Sequence, residues 1–311
     1  MYGAIPVTDW ERMWARVKDK FAAYHPVINF TFFIGAIVFG MILIHPVFQV
    51  CSLILSNGYY LTVQGKKGLK FVTGMGFLLV VLSVLNPVFN TLGETVLFTY
   101  FERPYTLEAL FYGIALSAML VSVLSWFASY QVVMTSDKFL YLFGKMAPSV
   151  TLILTMVLRL IPAYKDKTGQ MNGARRCIGK GTDMGSMKEK TEHGMVLLSA
   201  LTSWALEGGV ITADSMRSRG YGCGRRTTFS IYRFEGRDKR MFAGMIVLIA
   251  VVAFCCVNGA ASVTYVPEFE CKGIQNPYMF TGLLAYVAFL SIPTAVNIWE
   301  ELRWHSLRSK I

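Results

Sequence analysis

Apolar and polar positions are not evenly mixed along this chain. Six long apolar runs stand out, at 27–44, 47–63, 69–85, 107–133, 241–257 and 278–298. A bilayer is crossed by roughly 17–25 residues of helix, so these runs predict six spanning helices, the fourth long enough to tilt. Turn signals separate them: His45-Pro46 after the first, Gly65-Lys66-Lys67-Gly68 after the second, Asn86-Pro87 after the third. Proline and glycine punctuate helices because one lacks a donor and restricts its neighbour, and the other accepts backbone angles that side chains oppose. Asn57-Gly58 is a soft spot in the second run, and a loop with Glu94, Glu102 and Arg103 precedes the fourth. The chain is expected to be all-α, a polytopic membrane protein.

The block 134–240 breaks the pattern. It holds 18 Lys and Arg against 9 Asp and Glu. It divides the chain into an N-terminal membrane part (1–133, an amphipathic start and four spans), a central cytoplasmic domain (134–240) and a C-terminal membrane part (241–311, two spans and a basic tail). Two apolar runs lie inside the block, at 149–163 and 195–213. Were both to cross the bilayer, the segment between them, with Lys165, Lys167, Arg175, Arg176, Lys180, Lys188 and Lys190, would be exported. The first run is also short and interrupted by Arg159. They are therefore expected to be long amphipathic helices at or under the inner leaflet. Leu152, Met156 and Leu160 on one, and Val196, Leu197, Ala200, Leu201 and Trp204 on the other, need cover from one another, the lipid bilayer or a partner membrane protein.

Charge sets the orientation. With the N-terminus inside and six spans threaded, all of the 30 lysines and arginines fall on the inner side except Arg103 and Lys272. Cytoplasmic loops retain Lys and Arg, so both termini are expected in the cytoplasm, in what reads as a bacterial inner membrane. Composition agrees: 54% of residues are apolar and only 16% charged, against about 25% charged in soluble domains. The net charge of +11 then reflects topology, and no nucleic-acid-binding signature accompanies it. The first 26 residues mix charges and read as amphipathic, with no signal-peptide pattern.

Candidate chemistry is sparse. Six cysteines (51, 177, 223, 255, 256, 271) form no CxxC pair, and four scattered histidines form no HExxH, so no metal site is expected. Gly173 to Gly181, ending Gly179-Lys180-Gly181-Thr182, imitates a phosphate loop but has the wrong spacing, no hydroxyl directly after the lysine, and no preceding strand. No acidic residue lies in the interior of a span, and Lys70 is the one basic residue, at an edge. No proton relay is expected.

The second amphipathic helix ends Asp214-Ser215-Met216-Arg217-Ser218-Arg219-Gly220-Tyr221-Gly222. Glycine favours the left-handed cap that stops a helix, and cations suit its last turn. The plain reading is a C-cap with helpful charges. The wider order is more specific: Lys145-Met146-Ala147-Pro148, then Leu158-Arg159-Leu160-Ile161-Pro162, a polar helix from 165 to about 179 with Ala174-Arg175-Arg176-Cys177-Ile178, and the helix ending at Gly220. With His25-Pro26 and Asn86-Pro87, this order resembles the T-component family of energy-coupling factor (ECF) transporters, which includes the cobalt-type membrane subunits. The resemblance covers roughly residues 25 to 295.

In that family two Ala-Arg-Gly-like motifs end two cytoplasmic coupling helices. Ser218-Arg219-Gly220 matches the second, with serine for alanine. Arg175-Arg176-Cys177 stands for the first and makes Arg176 the coupling residue; the frame Ala174-Arg175-Arg176 makes it Arg175. The resemblance implies that Arg176, Arg219, Arg175, Gly220, Ser218, Arg217 and Asp214 form the surface for two ABC ATPase subunits, which bind ATP and Mg. It implies that Leu152, Met156, Leu160, Leu197, Leu201 and Trp204 face a small membrane-embedded substrate-binding S component. This chain is then a non-catalytic coupling subunit, without cofactor, of an importer of a vitamin or of a metal ion such as cobalt. Its arginines suit the task because a guanidinium fork holds two oxygens at once. The competing classes are the permease of a conventional ABC importer, whose Glu-Ala-Ala–Gly coupling pattern is not found, and a membrane-embedded enzyme, whose polar cluster is not found.

Overall fold

A computed structural model describes residues 19–90, 95–100, 103–144, 147–224, 232–260, 263 and 277–308. Residues 1–18 of the amphipathic start, Glu94, Glu102, Lys145-Met146, Cys271 and Lys272 lie outside the described residues. The helices are α1 (Pro26–Ile42), α2 (Pro46–Gln64), α3 (Gly68–Phe89), α4 (Leu107–Val133), α5 (Ser136–Gly144), α6 (Pro148–Cys177), α7 (Met187–Ser218), α8 (Gly236–Val257) and α9 (Pro277–Arg308). A small antiparallel hairpin, β1 (Val96–Tyr100) and β2 (Arg103–Thr106), precedes α4. The chain divides into two compact units, Met1–Phe139 with Tyr232–Ile311, and Leu140–Ile231.

In the larger unit, α4 is the hub and packs on α1, α2 and α3. Its inward face alternates small residues with one large one: Ala118, Ser122, Ser125, Trp126 and Ser129 are buried. Small side chains let helices approach closely, which is how apolar helices associate where lipid supplies no hydrophobic drive. The closest approach is at Gly113, where a Cβ would stand 2.7 Å from Cβ of Asn86 and 2.9 Å from the carbonyl oxygen of Ser83. Trp126 anchors the centre. Its ring lies 5.5 Å from Phe32 and 6.1 Å from Tyr59, and its Nε1 donates to Ser52 Oγ at 3.3 Å. Phe32 meets Phe289 of α9 at 5.2 Å. Offset and edge-on rings of this kind add stability beyond their buried area.

Polar bonds fix which helix ends share a face. Asp19, buried, accepts from Tyr59 Oη (2.8 Å) at the end of α2 and from Asn297 Nδ2 (2.9 Å) late in α9. Asn297 Oδ1 accepts in turn from the backbone N–H of Lys20 (2.8 Å). Lys138, just past α4, donates to the carbonyls of Ala22 (2.6 Å) and Val133 (2.9 Å). Arg237, at the start of α8, lies 4.4 Å over the Tyr24 ring and 3.6 Å from Glu300. On the opposite face, Gln49 of α2 donates to the carbonyls of Gly40 and Leu43 at the end of α1 (both 2.8 Å), and Cys255 of α8 meets Thr281 of α9 at 3.6 Å. The six long helices of this unit therefore alternate in direction.

Both His-Pro pairs are helix starts. His25 and His45 each accept the N–H two residues on at 3.3 Å, with proline in the first helical position, where no donor is needed. By length and apolarity, Pro46–Phe89, Leu107–Val133, Gly236–Val257 and Pro277–Arg303 qualify as spans, with Pro26–Ile42 as a shorter apolar helix. The chain is a multi-pass membrane protein. Met187–Ser218 meets the same criteria of length and composition.

Three boundaries differ from the sequence expectation. Helix α3 runs through Pro87 to Phe89, and α9 runs beyond residue 298 to Arg308. The short apolar run and the polar helix expected after it are one 30-residue helix, α6, continuous through Pro162. A proline removes one helical donor, yet the turns on either side retain theirs. Glu108, at the first turn of α4, is buried and accepts from Thr95 Oγ1 at 2.5 Å.

Candidate functional site

The sequence-predicted coupling residues all lie in the smaller unit, at the C-terminal tips of α6 and α7. The two tips are built alike. At α7, Gly220 (φ 79°) turns the chain so that its N–H donates to Arg217 O (3.0 Å) and Tyr221 N–H reaches Met216 O (3.0 Å). At α6, Gly179 (φ 70°) does the same: its N–H donates to Arg176 O (3.0 Å) and Lys180 N–H to Arg175 O (2.9 Å). This crossed pair of bonds satisfies carbonyls that a helix end leaves open and needs a residue tolerant of positive φ.

The shared cap fixes a register between the tips. Gly179 corresponds to Gly220, Ile178 to Arg219, Cys177 to Ser218 and Arg176 to Arg217. This register differs from both frames drawn from sequence, which centre on Arg175 or Arg176, because the capping glycine lies further on, at Gly179. The substitution of cysteine for glycine does not deform this tip, because Gly179 supplies the turn.

The arginines differ in their partners. Arg176 places Nε and Nη2 on the two oxygens of Asp183, each at 2.9 Å, with both side chains 52% exposed. The guanidinium bonds hold the Asp183 carboxyl below the usual aspartate range, helped by its own backbone N–H. Arg175 Nε donates to the carbonyl of Lys180 at 3.3 Å. Arg217, Ser218, Arg219, Gly220 and Asp214 are exposed, and Ser218 Oγ donates back to the carbonyl of Asp214 at 2.9 Å. The connection from the tip of α6 to the start of α7 is ordered by Asn172 Oδ1, which accepts from the Thr182 N–H at 3.0 Å, and by a capping box at the start of α7. There Ser186 and Glu189 exchange bonds, and the backbone N–H of Ser186 pulls the Glu189 carboxyl down.

The apolar residues expected to face a membrane partner divide. Helices α6 and α7 pack on one another, with Tyr164 edge-on to Trp204 at 5.4 Å and Lys167 5.7 Å from the Trp204 ring. Leu197 is 7% exposed, so its assignment to a partner-facing surface is corrected: it is already covered within the chain. Leu152, Met156, Leu201 and Trp204 are half-buried, and Leu160 is exposed. The open faces are instead carried by Val150, Ile153 and Val157 on α6, and Leu198, Leu206 and Val210 on α7. Sequence reasoning named Ile178 and Gly179 only as neighbours of the arginines, and missed the cap that Gly179 forms and the Arg176–Asp183 pair. The positive-φ glycine just beyond the arginines was the signal that could have found them.

These observations define the class: an all-α multi-pass membrane protein that carries a pair of long helices with matching, arginine-bearing tips. Residues 10–231 match the profile of the family CbiQ, cobalt transport protein, and the chain belongs to that family. Comparison with curated proteins finds no match. The chain is thus a membrane component of a transport system.

Proposed function

We propose that this protein is the coupling subunit of an ECF-type importer of a micronutrient, either a metal ion such as cobalt or a vitamin. The observation that carries the reading is the pair of identically capped tips on two long helices, in a member of a cobalt transport family. The tips dock on two ABC ATPase subunits, where ATP and Mg are bound. The closing ATPase pair shifts α6 and α7 together. Their exposed apolar faces pass the motion to a small membrane-embedded substrate-binding S component.

Charge placement supports a cytoplasmic location for the tips. The helix ends clamped by Asp19, Lys138 and Arg237 share one face, and with that face in the cytoplasm nearly every lysine and arginine stays inside. Were α6 and α7 both to span, Arg175, Arg176, Lys180, Lys188 and Lys190 would be carried to the other side, against the same rule. Both termini are then cytoplasmic, in a bacterial inner membrane.

The test is affinity purification of the full chain from its native membrane in mild detergent, with co-purifying proteins identified by mass spectrometry. ABC ATPase subunits and a small, very apolar protein are the expected partners, and the small protein identifies the cargo class. Recovery with a soluble binding protein of the periplasmic kind would favour a conventional permease and overturn the reading.

A further inference from the structure

The two tips share a cap but not a chemistry. At the residue just before the capping glycine, α7 carries Arg219 (φ −84°, ψ 8°) and α6 carries Ile178 (φ −105°, ψ 18°). Near-equal backbone angles, followed by the same crossed hydrogen bonds, send these two side chains out of their helix ends in equivalent directions. Ile178 is 68% exposed, a large apolar side chain on a basic tip. Its arginine neighbours are already engaged within the chain: Arg176 has both fork positions on Asp183, and Arg175 bonds the Lys180 carbonyl. Between the two arginines and Lys180, Ile178 is the exposed large apolar group of the tip.

We propose that Ile178 is the docking residue of the first tip, seated in an apolar socket of one ATPase subunit at the position where Arg219 enters a polar socket of the other. Arg176 is then a positioning residue, a strut that holds the loop after α6 through Asp183. This inference rests on the coupling reading above and replaces the arginine-centred assignment of the first tip. It makes the two tips non-interchangeable, so the sockets that receive them differ in polarity.

The experiment uses the full complex purified from membranes, with ATPase recovered per chain measured by quantitative mass spectrometry. The background is Arg219→Glu, which weakens the second tip and exposes the contribution of the first. In that background Ile178→Asp is expected to lower ATPase recovery about tenfold further, and Ile178→Leu to restore it. Arg176→Ala is expected to lower it less than Ile178→Asp while opening the segment after α6 to faster proteolysis. A larger loss with Arg176→Ala than with Ile178→Asp overturns the inference and leaves the coupling reading standing. Recovery of ATPase insensitive to every tip substitution, or no ATPase with the unsubstituted chain, overturns both.

Discussion

The two units of this protein are stabilised in opposite ways. The larger buries Trp126, Tyr59, Tyr286, Phe32, Phe33, Phe48 and Phe289 in one interlocking cluster. In the smaller, Leu197 is the one buried large apolar side chain among the described residues, although α6 and α7 run 30 and 32 residues. One region specifies its own packing. The other presents two helices that cover little of each other and leave long apolar faces open. An open apolar helix face needs cover from lipid or from a partner; the larger unit, the body, has such faces around a packed centre, whereas α6 and α7 have them with almost no centre.

Substitutions can break this contrast, and the largest effect belongs to the body. Trp126→Ala removes the ring at the centre of the aromatic cluster and is expected to cost about 3–5 kcal/mol, read as a large drop in thermal stability in detergent. Next comes Gly113→Leu, whose side chain would have to enter the space held by Asn86 and the Ser83 carbonyl. About 1–3 kcal/mol is expected from overpacking, with α3 and α4 losing hydrogen-exchange protection first.

The smaller unit should respond locally. Gly179→Ala and Gly220→Ala each place a Cβ at positive φ, at about 1–2 kcal/mol. The expected result is faster exchange at the last turns of α6 and α7 with little change in the unfolding temperature of the body. A drop as large as that of Trp126→Ala would merge the two units into one cooperative block and end the comparison. The smallest effect is electrostatic. The Asp183 carboxyl is held below its ordinary value of 3.8, so the fork with Arg176 is fully present above that pH and is lost as pH falls through the lowered value. Exchange rates in the segment after α6 should rise only on strong acidification, and also with added salt, because the pair is half-exposed and screened.

Run length made the body legible from sequence. Apolar stretches of spanning length had few alternatives, and the charge pattern gave their order. The hidden parts were those where local rules compete. Pro162 and Pro87 are ordinary stop signals, yet the helices continue through them because the neighbouring turns keep their own hydrogen bonds. At the first tip, the resemblance to an arginine-centred triplet rests on the letters of Arg175 and Arg176, whereas the backbone turns at Gly179. The sequence contains that glycine plainly, but only the crossed hydrogen bonds show that it corresponds to Gly220. Likewise the apolar residues of α6 and α7 announced a buried stripe without saying which side each helix turns to the other, and Leu197 fell on the covered side.

The clamp on Asp19 has a consequence for how the protein is made. Its partners, Tyr59 and Asn297, are 40 and 278 residues away in sequence. A growing chain therefore carries an unfinished carboxylate at Asp19 until α9 has left the ribosome and entered the bilayer. Only then does the segment around Asp19 lock. A product truncated before Asn297 would keep that carboxylate half-satisfied and its leading segment loose, a mark by which membrane proteases could sort incomplete copies from finished ones.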